Sequence, residues 1–188
     1  MPVSARMVGV GALLGTAFFG AAASLFTAAG ARLNLTPSAP GGLWYVSDAP
    51  SSIRRGELVE VCPPAAPVVR LAADRGWIER GDCPAGTIPL LKAVAGVAGD
   101  RVQIVGGELA RVNGRQVPNT AALAGIPAWP DGVYTVPAGA VWLFSSYSRN
   151  SFDSRYFGPV PADLIRGEAR PVLVSGSAAG MAAIEEAP

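Results

Sequence analysis

The chain has 188 residues, half of them hydrophobic and 15% charged, and a net charge of +1 at pH 7. A balance this close to neutral, with scattered arginines and no basic run interleaved with aromatics, excludes a nucleic-acid-binding surface. The chain has no histidine, which removes the usual Ser-His-Asp triad; two cysteines alone are too few ligands for a zinc site, so no metal or organic cofactor is implied.

Residues 7–31 carry no charge. At about 1.5 Å per residue such a run crosses a hydrocarbon core of about 30 Å with some tilt. That length favours a retained anchor over a cleaved signal peptide, whose apolar core runs about 7–15 residues, although Ala21-Ala22-Ala23 offers the small residues of a cleavage site. Residues 1–32 are therefore read as an N-terminal transmembrane anchor. Arg6 and the amino terminus put the short side in the cytoplasm, so that 33–175 forms a domain outside it and 176–188 a flexible tail.

Beyond the anchor, Thr36-Pro37-Ser38-Ala39-Pro40-Gly41-Gly42 bars a helix and predicts a rigid turn feeding a strand at 43–46. A serine between two prolines suits a nucleophile, while most serines in such turns are plain surface residues. Further strands are expected at 57–62 and 87–94, with a short helix at 68–75 between them. Next comes a meander of 101–105, 108–112 and 115–117 joined by Gly106-Gly107 and Asn113-Gly114, two-residue connections that signal hairpins. Residues 118–132 read as loop, and 105–138 as a small insertion. Strands resume at 133–136, 140–145 and 171–175, which predicts a mainly β domain of short antiparallel strands. Cys62 and Cys83, facing an oxidising compartment, are expected to be bridged, with two buried free thiols as the alternative.

Lys92 is the sole lysine, against fourteen arginines, and it stands among Leu90, Leu91, Ala93 and Val94. Lysines beside apolar residues commonly snorkel to water. Desolvated instead, the amine falls from a pKa of about 10.4 towards about 7–8 and becomes a general base in a chain that has no histidine for the task.

Three motifs then stand in order: Ser38-Ala39-Pro40; Lys92 to Gly96, with Gly99-Asp100-Arg101-Val102 behind it; and Asn150-Ser151-Phe152-Asp153-Ser154-Arg155-Tyr156-Phe157-Gly158. They resemble the serine, lysine and C-terminal boxes of type I signal peptidases. The Ser-Ala-Pro-Gly-Gly-Leu-Trp form of the first box, with Cys62 and Cys83 between the first two, is similar to the TraF-type, conjugative-transfer branch. The resemblance implies a signal-peptidase-like antiparallel β-barrel or sheet domain behind one transmembrane helix, in the bacterial inner membrane with the domain on the periplasmic side. It implies a serine endopeptidase whose partners are a precursor polypeptide, pilin or secreted protein, and the lipid bilayer. Residue by residue, Ser38 matches the nucleophile, Lys92 the general base and Ser151 the serine that orients the amine. Asp153 and Arg155 match a structural ion pair. Thr36 occupies the position whose hydroxyl joins the Ser38 N–H in binding the oxyanion. The family's third box opens with Gly-Asp-Asn-Arg, where this chain has Ser145-Ser146-Tyr147-Ser148, so roles resting on those residues do not transfer. The resemblance leaves open whether water resolves the acyl-enzyme or a substrate amine does so, cyclising the pilin. A general secretory signal peptidase and a non-catalytic anchored β scaffold of a secretion or pilus complex are the alternatives.

Overall fold

The computed structural model describes residues 20–21 and 24–176. Within these, eleven strands follow in chain order: β1 (Ala31–Asn34), β2 (Gly42–Val46), β3 (Leu58–Val61), β4 (Leu90–Gly96), β5 (Arg101–Ile104), β6 (Arg111–Val112), β7 (Arg115–Gln116), β8 (Gly132–Thr135), β9 (Ala140–Phe144), β10 (Val160–Pro161) and β11 (Ile165–Val174). Two short helices, α1 (Pro67–Asp74) and α2 (Ser154–Phe157), lie between β3 and β4 and between β9 and β10. Seven strands pair antiparallel in the order β1-β2-β11-β3-β4-β9-β10, and four in the order β7-β6-β5-β8. The mainly β, antiparallel expectation holds, but there is no closed barrel. The larger sheet ends at β1 on one side and at β10 on the other, and β10 is two residues long and contains Pro161, which has no N–H to extend a ladder. Among the described residues no helix is long and apolar enough to cross a membrane. The anchor expected over 7–31 falls largely, and the tail beyond 176 entirely, outside the described residues.

β9 explains why the two sheets adhere. Its run Ala-Val-Trp-Leu-Phe is apolar on both faces. Val141 and Leu143 enter a cluster with Val59, Val61, Val69, Val94 and Phe157, while Trp142 and Phe144 enter another with Val102 and Val136. A third cluster, Ala39, Trp44, Val46 and Ala169, lies under the turn that carries Ser38.

Local signals predicted the local elements well. Helix α1 has Pro at its first turn, where the missing N–H removes no intrahelical bond. Asn113 and Gly114 both take positive φ, 51° and 84°, the requirement of a type I′ hairpin, and Val112 pairs with Arg115 across them. The Gly106-Gly107 hairpin differs from expectation. Glu108 N–H does reach Val105 O at 3.0 Å, yet the β5–β6 ladder begins only at Gln103 and Arg111. Ala110 is drawn away, its N–H donating to Thr120 Oγ1 and its carbonyl accepting from Val117 N–H. β11 starts six residues before the expected 171, because its buried alternate positions Ile165, Gly167 and Ala169 include two residues with little or no side chain. Gly167 is required there, since a Cβ would collide with Ser47 O.

Candidate active site

Ser38 sits in the turn between β1 and β2, and Asn34, the last residue of β1, holds that turn together. Its side-chain amide donates to the Ala39 and Pro40 carbonyls at 3.0 and 3.1 Å, and its Oδ1 accepts from Thr36 N–H at 3.1 Å. Trp44 Nε1 closes the far side by donating to Pro40 O at 3.0 Å. Thr36 Oγ1 donates to Asn34 Oδ1 at 2.8 Å and lies 3.1 Å from Ser38 Oγ. A threonine hydroxyl has one proton, and Asn34 takes it; across the second contact Ser38 is therefore the donor and Thr36 the acceptor. The Thr36 proton is thus engaged by Asn34 in this geometry.

Lys92 lies in the middle of β4, with Val59 of β3 opposite it and Ala93 paired to Phe144 of β9. Strands on both sides keep water out, and the side chain is 1% exposed. Burial pulls the amine from 10.5 down to about 8, the Asp153 carboxylate opposing that fall and Arg155 reinforcing it. Among the described residues Lys92 has no ion-pair partner. The lone lysine is thus desolvated, as its apolar neighbours implied.

Ser38 and Lys92 open onto one cleft of about 680 Å³, together with Thr36, Asn150 and Phe152. One wall of the cleft is supplied by Trp77, Glu79, Asp82 and Ile88. That wall is tied to the end of β3 by the Cys62–Cys83 disulfide, whose Cα atoms are 5.4 Å apart, as the expected bridge requires. Ser151, flanked by two cleft residues, has its hydroxyl buried without a hydrogen-bond partner. Asp153 and Arg155 form a fully buried pair at 2.7 Å, with a second bond from Nε to Oδ1 at 2.8 Å. Asp153 also caps α2 by accepting from Arg155 N–H.

Two residues of the site carry no mark in the sequence. Asn34 stands in an ordinary strand end, and nothing in Leu33-Asn34-Leu35 signals its work on the turn. Ser145, at the end of β9, is fully buried; its Oγ donates to Ser38 O at 2.7 Å and its N–H donates to Asp153 Oδ2 at 3.1 Å. The only sequence sign of Ser145 is that it stands where the resembling family has glycine.

Comparison with known proteins identifies the family. The family model described as signal peptidase, peptidase S26, matches residues 5–174. The probable conjugal transfer protein TraF of Sinorhizobium fredii (strain NBRC 101917 / NGR234) is 45% identical over 150 residues, 77% of either chain. The conjugal transfer protein TraF of Agrobacterium tumefaciens (strain 15955) is 41% identical over 148 residues, 77% of this chain and 82% of its own. A looser likeness runs to the crystal structure of a signal peptidase I from Enterococcus faecalis V583, with TM-score 0.37 and 17% identity over 63% of this chain and 97% of that one. A family match spanning most of the sequence, with relatives above 40% identity over three quarters of it, makes this chain a member of the signal peptidase family, peptidase S26.

Proposed function

We propose that this protein is a membrane-anchored serine endopeptidase that cleaves pilin-like precursors in conjugative transfer by a Ser38–Lys92 dyad. The observation that carries the reading is a solitary buried amine, held down to about 8, on the same cleft as a serine in a braced turn. Unprotonated Lys92 takes the proton of Ser38 Oγ as the oxygen attacks the scissile carbonyl. The oxyanion is met by Ser38 N–H and by Thr36 once its hydroxyl leaves Asn34, contacts worth roughly 3–4 kcal/mol per donor. Charged Lys92 then gives its proton to the leaving amine, and the acyl-enzyme is resolved by water or by a substrate amine. Ser151 Oγ makes no hydrogen bond to Lys92, so its role in orienting the lysine rests on the resemblance, while the Asp153–Arg155 pair supports a structural role for those two residues. The conjugal transfer proteins among the relatives favour a pilin substrate over general secretory precursors. The disulfide favours an oxidising, periplasmic setting for the domain, on a single-pass protein of the bacterial inner membrane.

Ser38→Ala and Lys92→Arg are the direct test, in a strain coexpressing a pilin precursor. Arginine keeps the charge and cannot deprotonate in a protein. Both variants are expected to fold and to leave the precursor uncut; processing that continues in either one removes the dyad, and with it the preference for an enzyme over a scaffold. The wild-type rate is expected to climb with pH about a midpoint near 8, as Lys92 loses its proton. Mass spectrometry of the product distinguishes its fate, a cyclised pilin being lighter by one water than the linear one.

A further inference from the structure

We propose that Ser145 is a positioning residue that locks the backbone of the nucleophile turn to the lysine strand; the proposal rests on the Ser38–Lys92 reading above. Its hydroxyl donates to Ser38 O at 2.7 Å across 107 positions of sequence. Its immediate neighbour Phe144 pairs with Ala93, the immediate neighbour of Lys92. Its own N–H donates to Asp153 Oδ2, and Asp153 is fixed in turn by Arg155, whose guanidinium also donates to the Arg149 and Ala121 carbonyls. The serine turn and the buried ion pair therefore meet at one residue, which directly follows the strand paired with the lysine strand.

A hydroxyl buried this fully is unfavourable unless bonded. Ser145 has one proton, and its partner is the carbonyl of the proposed nucleophile. Holding that carbonyl restrains the Ser38–Ala39 peptide plane, and with it the backbone from which Ser38 presents its Oγ. Glycine, the residue of the resembling box at this position, has no donor to offer. Here the side chain supplies a tether that the resembling motif lacks.

The test uses the full chain in detergent and, as probe, a synthetic precursor peptide with an apolar core and an A-x-A-type cleavage site. Ser145→Ala is expected to lower kcat about tenfold per mole of folded enzyme with KM changed less than about twofold, since misorientation of a nucleophile is felt in the chemical step. The midpoint of the pH profile should stay near 8, because Lys92 keeps its burial. Amide exchange across 36–41 should quicken about fivefold or more while β4 is unchanged, a local loosening that a merely structural loss would not confine to the turn. If Ser145→Ala does not fold, Ser145→Cys, of similar size and weaker as a donor, carries the same expectations. A wild-type kcat, or wild-type exchange across 36–41, overturns the proposal. Cleavage that survives Ser38→Ala would sink the dyad instead, and the exchange measurement then decides Ser145 alone.

Discussion

At the scale of single residues, Lys92 sets function against stability. Lowering its pKa from 10.5 to about 8 disfavours the charged form by roughly 3 kcal/mol, at about 1.36 kcal/mol for each tenfold change. Below pH 8 the amine is charged in both states and the folded chain bears this cost in full. Between about 8 and 10.5 the unfolded chain holds a proton that the folded one has released, so stability from this group rises with pH. Lys92→Met, which keeps length without charge, is therefore expected to stabilise the chain by about 3 kcal/mol at pH 7 while abolishing cleavage, and by much less at pH 10. Denaturant titrations at the two pH values check this, and a gain independent of pH would contradict it. Lys92 is legible in sequence because its oddity is local, one lysine in an apolar run. Asn34 shows no such mark, because what distinguishes it is the fold of the turn that follows it. Ser145 is illegible for a different reason: the bond that gives it meaning reaches a residue 107 positions away.

At the scale of elements, the same distinction separates what was legible from what was not. Helix α1 and the Asn113-Gly114 turn follow from residues within a few positions of one another. The early part of β11 does not, since Gly167 and Ala169 become strand positions only because β2 and the chain just after it pass so close. The cleft wall is an intermediate case. Its covalent tether was legible in the two cysteines, but that the tethered stretch faces Ser38 and Lys92 was not. Trp77, Glu79 and Asp82 lie in a segment outside the named strands, held by a single Arg80–Thr87 bridge, by backbone bonds such as Trp77 N–H to Ala72 O and Ile88 N–H to Glu79 O, and by the disulfide. The Asp82–Arg166 pair adds little, being exposed. Replacing both cysteines by serine should destabilise the chain by about 3 kcal/mol for a closed loop of this length. On the proposed reading, in which this wall contacts the precursor, it should also raise KM several-fold with kcat nearly kept, since Ser38 and Lys92 stand on the β1–β2 turn and on β4. An unchanged KM in thermally intact variant enzyme would show that the wall is held without the bridge.

At the scale of the whole molecule, the larger sheet exposes apolar side chains where a soluble protein would place polar ones. Leu33 of β1 and Leu173 of β11 both register against Leu43 of β2, and they are 67% and 76% exposed; Leu35, at the start of the serine turn, is 82% exposed. Leu25 and Phe26, within the expected anchor and just before β1, are exposed as well. Scattered singly these would mean nothing, but three leucines in or just after the two strands that flank β2, next to the turn of Ser38, form a patch that calls for a cover. On the proposed reading, an anchor ending at Arg32 stands six residues before Ser38 and would bring lipid within reach of this patch. Burying one leucine is worth about 1.5–3 kcal/mol, so the double variant Leu35→Asp, Leu173→Asp should shift the domain off the membrane by well over tenfold. In vesicles reconstituted with the full chain, cleavage of a bilayer-embedded precursor should then slow by about tenfold or more, while a soluble peptide carrying the same cleavage site is cut at the wild-type rate. Equal slowing of both substrates would place these leucines in the service of the site itself, and no slowing of either would leave the patch without a lipid role.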